Sequence, residues 1–386
     1  MKQVVVANIG ELVLKGGNRR SFEGTLLKNI DIALKGLGVK VKKGYGIITI
    51  SGSGEKEINA KEVMQRLQHV FGIASLYAAT EIENDAQAIE NHALQQLGQL
   101  TYKTFAIRVK RTNKKFPVSS GELEKKIGAA ACASYAKDVD LTDPDVTVHI
   151  RIAEDNAMVY AEKISGAGGL PVGTGGKMLS LISSGIDSPV ASSMMMRRGA
   201  SVHYIHFHSY PATSRASAEN AEQLVKIIQQ HQPPTTLAMA PFHDFQKQII
   251  EKAPAPLRVV MYRRGMYAIA DALAGRMRVK ALISGESLGQ VASQTVQNMT
   301  ATSYGLKRPV FRPLIGMDKQ EIVDRATAIN TYETSIRPYD DCCSFLVPEH
   351  VETSAKLREV LDIEQSLPWN EMISGVLDQL EVKKVV

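Results

Sequence analysis

Leu179-Ser-Leu-Ile-Ser183-Ser184-Gly185-Ile186-Asp187-Ser188 decides how this chain reads. An apolar run stops at a small, hydroxyl-rich loop and leads into Pro189-Val-Ala-Ser-Ser-Met-Met-Met. That order predicts a buried strand, a tight turn of phosphate size and a helix N-terminus. Ser183, Gly185 and Ser188 have little bulk, so backbone N–H groups and hydroxyls can close around an anion. The helix beginning near Pro189 aims its positive end at the same place. The expected ligand is the pyrophosphate end of a nucleotide. A Walker-type loop is excluded, because no G-x-x-x-x-G-K-[ST] occurs and no Lys follows the glycine. An ordinary strand-to-helix turn would be the simpler account if the stretch stood alone.

The stretch resembles the SGGxDS signature of the PP-loop ATP pyrophosphatases, which adenylate a carbonyl oxygen and release pyrophosphate. Ser184 departs from the pattern, standing where that family usually has its second Gly.

On its C-terminal side, strands are expected at about 178–182, 202–206, 236–240 and 279–284 with helices between them. Such alternation predicts a parallel sheet covered on both faces, with the site at the carboxyl ends of the strands. The last forty residues read as helices. On its N-terminal side, residues 166–176 hold six glycines and a proline, a composition that packs no core and marks a domain boundary. Before that lie a strand, a helix at about 18–37 and two short strands. A capping box at Asn59–Glu62, a strand at 73–79, a helix near 85–97, a basic strand, a second capping box at Ser119–Glu122 and two more strands follow.

With 386 residues, the chain exceeds the ~250 at which single cores stop growing. The Val4–Ala7 run is too short for an export signal, and no stretch approaches the ~20 apolar residues of a membrane span. Three cysteines make no disulfide framework, so a reducing cytoplasm is expected. A net charge of +6 favours an anionic partner. The positive charge clusters at Lys15, Arg19 and Arg20, and again at Arg108, Lys110, Arg111, Lys114 and Lys115. In Phe105-Ala-Ile-Arg-Val-Lys-Arg, alternation sets Ile107 and Val109 against Arg108 and Lys110 on opposite strand faces. That pattern fits either an RNA-facing surface or a solvated sheet.

His206-Phe207-His208 ends the second strand, and Gly285-Glu-Ser-Leu-Gly-Gln-Val-Ala-Ser-Gln294-Thr follows the fourth. With Gly10-Glu-Leu-Val-Leu-Lys15-Gly-Gly-Asn18-Arg19, Phe71-Gly72-Ile73, Phe116-Pro117 and Gly168-Gly-Leu-Pro-Val-Gly173, these segments closely resemble the ThiI family of tRNA 4-thiouridine synthetases from end to end. The resemblance implies an α/β fold. Its C-terminal part is a doubly wound parallel sheet of the PP-loop ATP pyrophosphatase type (adenine nucleotide alpha-hydrolase-like), preceded by two smaller α+β domains, ferredoxin-like and THUMP. The expected boundaries are residues 1–58, 59–165, a linker at 166–176, and 177–386.

Carried over by position, the resemblance implies an ATP site lined by Leu181, Ile182, His206, Phe207, Arg263, Gly285 and Gln294. Ser183, Gly185, Asp187 and Ser188 would form the pyrophosphate loop, with Mg²⁺ near Asp187. Lys319 is a candidate phosphate contact, while Asp318 suits a helix cap equally well. The basic clusters would hold tRNA. A cysteine desulfurase would supply persulfide, since no rhodanese domain is expected after Cys343. A homodimer is left open, and sulfur supply for the thiamine thiazole is also implied.

Cys342-Cys343 and Cys132 are too few and wrongly spaced for a zinc or iron–sulfur site. A sulfur-relaying thiolate at Cys342 or Cys343 is the functional reading, and buried inert cysteine is the plain one, strongest for Cys132. The catalytic set is then Asp187, Cys342 and Cys343. Two rivals remain: a PP-loop ligase using a nitrogen nucleophile, and a non-catalytic RNA-binding protein.

Overall fold

The computed structural model describes residues 2–11, 17–44, 46–54, 56–161, 163–338 and 350–385. The chain forms two compact units, Met1–Gly169 and Leu170–Val386, dividing inside the glycine-rich stretch. Gly168 and Gly169 both take positive φ there, +65° and +67°, a conformation that a side chain would strain.

The first unit is built on one sheet. Its strands are β1 (Lys2–Ile9), β2 (Val39–Lys43), β3 (Ile47–Gly52), β4 (Ile73–Ile82), β5 (Thr104–Arg111), β6 (Asp138–Val139), β7 (Val146–Ile152), β8 (Ala157–Tyr160) and β9 (Lys163–Ser165). They run in the order β2-β3-β1-β4-β8-β7-β5-β6, with β9 also on β4. β5 pairs in parallel with β6 and β7; the other pairings are antiparallel. Alternation sends Ile107, Val148, Ile150 and Val159 into a core with Ile89, Leu97, Leu123 and Ile127 from the helices Ala86–Gly98 and Ser120–Tyr135. Both helix starts follow from side-chain caps. Asp85 accepts from the Ala88 N–H at 2.8 Å, and Ser119 and Glu122 close a complete capping box. The box expected at Asn59 forms only by half: Asn59 accepts from the Glu62 N–H, but the Glu62 carboxylate takes Arg66 instead.

The second unit carries β10 (Lys177–Leu181), β11 (Ser201–His208), β12 (Thr235–Pro241), β13 (Ala281–Ile283), β14 (Val310–Phe311) and β15 (Glu381–Val385), in the order β14-β13-β10-β11-β12-β15. From β10 the chain winds outward through β11 to β12, then returns to lay β13 and β14 on β10's other side. The reversal between β10 and β13 leaves a crevice at their carboxyl ends. Leu179, Ile205 and Phe207 face the core built on the helix Arg258–Arg276. Ser180 and Tyr204 point the opposite way, to Ser192 and Met196 of the helix Asp187–Arg197.

One expectation is corrected here. The chain's last forty residues are not all helical, because Glu381–Val385 adds β15 antiparallel to β12. Its Glu-Val-Lys-Lys-Val is a charged edge sequence with Val382 exposed and Val385 buried, and so lacks the apolar run that announces a central strand.

Candidate active site

The loop after β10 is drawn tight by its own hydroxyls. The Ser183 N–H donates to Ser188 Oγ at 2.8 Å, the two Oγ atoms lie 3.0 Å apart, and the Gly185 N–H donates to Ser183 Oγ at 3.3 Å. The loop then enters the helix Asp187–Arg197. Gly285 closes on it from across the switch point. A Cβ there would lie 2.8 Å from Ser188 N and 2.9 Å from the Asp187 carbonyl carbon, so the two segments meet backbone to backbone.

The result is a cleft. β10 and its loop supply Leu181, Ile182, Ser183, Asp187 and Ser188, and β11 supplies His206 and Phe207. Arg263, Met266 and Tyr267 come from the long helix, and Ser284, Gly285, Glu286 and Gln294 from the segment after β13. Of the residues expected at the nucleotide, Gly185 and the candidate phosphate contact Lys319 are not in the lining; Gly185 lies within the loop between Ser183 and Asp187. The His206 ring is buried, with Nδ1 2.9 Å from the Ile182 carbonyl oxygen. Gln294 accepts from the Ser287 N–H at 3.3 Å.

Asp187 sits at the mouth. Its carboxylate accepts from Gln290 Nε2 and from Lys319 Nζ, each at 2.9 Å. Asp318 itself caps the helix Lys319–Ala328 in a capping box with Glu321, and this cap places Lys319 in the first turn. Among the described residues no cluster of three or more potential ligands could cage a metal. A lone carboxylate fits a Mg²⁺ held mainly by substrate phosphates and water.

Sequence reasoning gave no role to Glu286, the most buried charge in the cleft at 1% exposure. Arg263 Nη2 donates to its Oε1 at 2.5 Å, while Arg312 Nε and the Tyr267 hydroxyl donate to Oε2 at 2.6 and 2.7 Å. Burial alone would raise its pKa, but the two guanidiniums and the phenol outweigh it and hold the group at about 2. Burial also raises the pKa of Tyr267, assisted by the Glu286 charge. A single carboxylate following the apolar Leu282-Ile283 was the available signal, but its arginines lie 23 and 26 residues away.

The basic residues of the first unit divide by environment. Arg108, Lys110, Lys114, Lys115 and Arg20 are exposed, with Arg108 also donating to the Leu141 carbonyl at 2.5 Å. Arg111 instead ties its own loop, donating to the carbonyls of Phe116 and Val118 at 2.9 and 2.7 Å. Arg19 pairs with the buried Glu23, which Lys43 also contacts. Lys15, Cys342 and Cys343 lie outside the described residues. On the sheet face opposite the helices, Tyr160 stacks on His149 at 5.3 Å and meets Tyr77 at 4.4 Å. Arg108 and Lys110 are the cross-strand partners of His149 and Arg151. This aromatic patch was missed, although its signal lay in the period-two alternation of β7 and β8.

Comparison with known proteins agrees with this architecture. The profile described as ThiI ferredoxin-like domain matches residues 4–76, THUMP domain matches 78–162, and Thiamine biosynthesis protein (ThiI) matches 173–368. A probable tRNA sulfurtransferase of Caldanaerobacter subterraneus subsp. tengcongensis is 44% identical over 98% of this chain and 99% of its own. Another from Moorella thermoacetica is 40% identical over 99% and 97%. A crystal structure of a 4-thiouridine synthetase–RNA complex with bound ATP superposes with a TM-score of 0.91 at 30% identity, covering both chains completely. With its relatives matched from end to end and all three domain profiles in order, the chain belongs to the ThiI family of tRNA sulfurtransferases.

Proposed function

We propose that this enzyme thiolates tRNA in two stages at the β10–β13 crevice, activating uridine 8 with ATP and then exchanging its O4 for sulfur. The observation that carries this reading is the docking of Gly285 on the start of the helix Asp187–Arg197. It sets a phosphate-sized loop, a helix N-terminus and Arg263 around one cleft.

In the first stage O4 attacks the α-phosphorus, the α–β bridge breaks and pyrophosphate leaves. The chain's contribution is to position and to neutralise charge. The Ser183–Ser188 loop holds the departing phosphates, Lys319, which donates to Asp187 beside that loop, is the candidate phosphate contact, and Asp187 would hold Mg²⁺, which neutralises phosphate charge when bound. In the second stage a persulfide's terminal sulfur attacks C4 and expels AMP. A thiol then cleaves the remaining S–S bond, leaving sulfur on the base and a disulfide for a cellular thiol to reduce. Cys342 and Cys343 are our candidates for that thiol or for the persulfide itself, with a cysteine desulfurase as sulfur source. The first unit grips the RNA through its basic, aromatic sheet face, largely by backbone and shape. A cytoplasmic setting and sulfur supply for the thiamine thiazole belong to the same reading.

The test incubates the protein with tRNA transcript, Mg-ATP, cysteine and a desulfurase, following AMP release and the near-ultraviolet absorbance of thiouridine. Both are expected. AMP without thiolation would favour a nitrogen-nucleophile ligase, and tRNA binding without AMP a non-catalytic protein.

A further inference from the structure

We infer that Ser184, Ser217 and His206 form a buried positioning device that holds the phosphate loop from beneath, an inference that rests on reading this loop as the ATP phosphate site. The Ser184 side chain is not part of the cleft lining. At 1% exposure its hydroxyl donates to the Ser217 carbonyl at 2.7 Å and lies 2.8 Å from Ser217 Oγ. Ser217 Oγ is in turn 3.4 Å from His206 Nε2. His206 Nδ1 is 2.9 Å from the Ile182 carbonyl, which can only accept, so Nδ1 carries a proton, and the single hydroxyl proton of Ser217 serves either Ser184 Oγ or His206 Nε2. All three side chains are buried. Residues 182 and 184 of the loop are thereby tied to β11 and to the first turn of the helix Ala216–Gln229.

The loop has a second set of bonds, on its cleft side: the Ser183–Ser188 hydroxyl pair and the long Gly185 N–H contact. Entering phosphates compete for these groups. Ser184 and Ser217 lie outside the cleft lining, and only His206 of the buried set borders it, so their bonds keep their partners when the upper set opens and the loop N–H groups stay aimed where charge develops on the leaving pyrophosphate. Ser184 therefore stands in place of a glycine without crowding the phosphates, and its hydroxyl fixes a turn that glycine would leave freer.

The experiment compares full-length wild type with Ser184→Ala, Ser184→Gly, Ser217→Ala and the Ser184→Ala, Ser217→Ala double variant. Single-turnover AMP formation with saturating tRNA is measured across ATP concentrations, along with thermal midpoints and amide exchange of the peptide spanning 182–188. Each single variant should lose about 10-fold or more in the rate of AMP formation, with the ATP KM nearly unchanged. The double variant should lose less than the product of the two single losses, because the two hydroxyls share one contact while Ser217→Ala keeps the carbonyl that Ser184 donates to. Exchange in the loop peptide should quicken in every variant, a readout that holds even where a thermal midpoint falls. Wild-type rates in Ser184→Gly, losses that multiply in the double variant, or unchanged loop exchange overturn the inference. Absence of AMP formation by wild type itself would instead remove the phosphate-loop reading, and the inference with it.

Discussion

Asp187 draws two donors from distant parts of the chain, Gln290 and Lys319, and this convergence makes it the residue on which ATP chemistry should depend most. Asp187→Ala is expected to abolish tRNA-dependent AMP formation while leaving tRNA affinity within about twofold, since the basic sheet face lies in the other unit. Filter binding with an AMP assay checks both; normal adenylation by this variant would end the PP-loop assignment. Glu286 gives a pH prediction of definite sign. Its folded pKa of about 2 lies below its ordinary 4.5, so its contribution is complete above that ordinary value and disappears as pH falls through about 2. The shift corresponds to roughly 3 kcal/mol. Glu286→Gln should lower stability at pH 7 by about that much, leaving two guanidiniums without their counter-charge, and the gap to wild type should shrink between pH 5 and pH 2.5. Urea unfolding at stepped pH measures it, and a constant gap would contradict the assignment. The place of Asp187 at the cleft was legible because the strand-turn-helix motif around it is local. Glu286 was not, because its meaning comes from arginines that only the fold brings near.

Elements announced by local chemistry were the readable ones. The helix beginning at Ser120 follows from Ser119 and Glu122, three residues apart, and the central strands follow from unbroken apolar runs. β15 escaped because its register is set by the edge of β12 and not by its own sequence. Between those extremes stands the segment after β13, whose Gly285 was readable, through the family resemblance, as an ATP-site residue but whose close approach to the helix start was not. Gly285→Ala places a methyl group 2.8–2.9 Å from the backbone of Asp187 and Ser188, so the helix start must shift. The expected result is a loss of AMP formation of about 100-fold, as for an ångström-scale misplacement, with tRNA binding retained. Steady-state AMP release set beside tRNA affinity decides it, and near-normal turnover would show that the two segments slide apart without consequence.

At the scale of the whole molecule the glycine-rich stretch was the clearest signal, and the two units divide within it. Separate units imply separable kinetic effects. Lys110→Glu, on the exposed side of β5, should raise the KM for all tRNAs alike and reduce the salt slope of binding by about one, with kcat for AMP formation unchanged at saturating RNA. A lower kcat would mean that this face also shapes the active centre. The sulfur step was legible only as chemistry, because Cys342 and Cys343 lie in a stretch whose neighbours give no pairing rule. The described chain approaches that stretch beside the phosphate loop, where the Ser335 hydroxyl donates to the Gly185 carbonyl at 3.4 Å. Further along the chain, the Thr353 carbonyl accepts from the Thr295 hydroxyl, next to Gln294 of the cleft. The described residues on either side thus touch the phosphate loop and the segment that carries Gln294, whereas Cys132 is a half-buried residue packed against the core of the first unit. Serine variants at all three positions should form AMP at wild-type rates, since adenylation needs no thiol. Thiolation should fail in Cys342→Ser or Cys343→Ser and persist in Cys132→Ser, as read by thiouridine absorbance over several turnovers. Full thiolation by the Cys342→Ser, Cys343→Ser double variant would show that the desulfurase persulfide attacks the base directly, with the S–S bond then cleaved by a thiol from outside this chain.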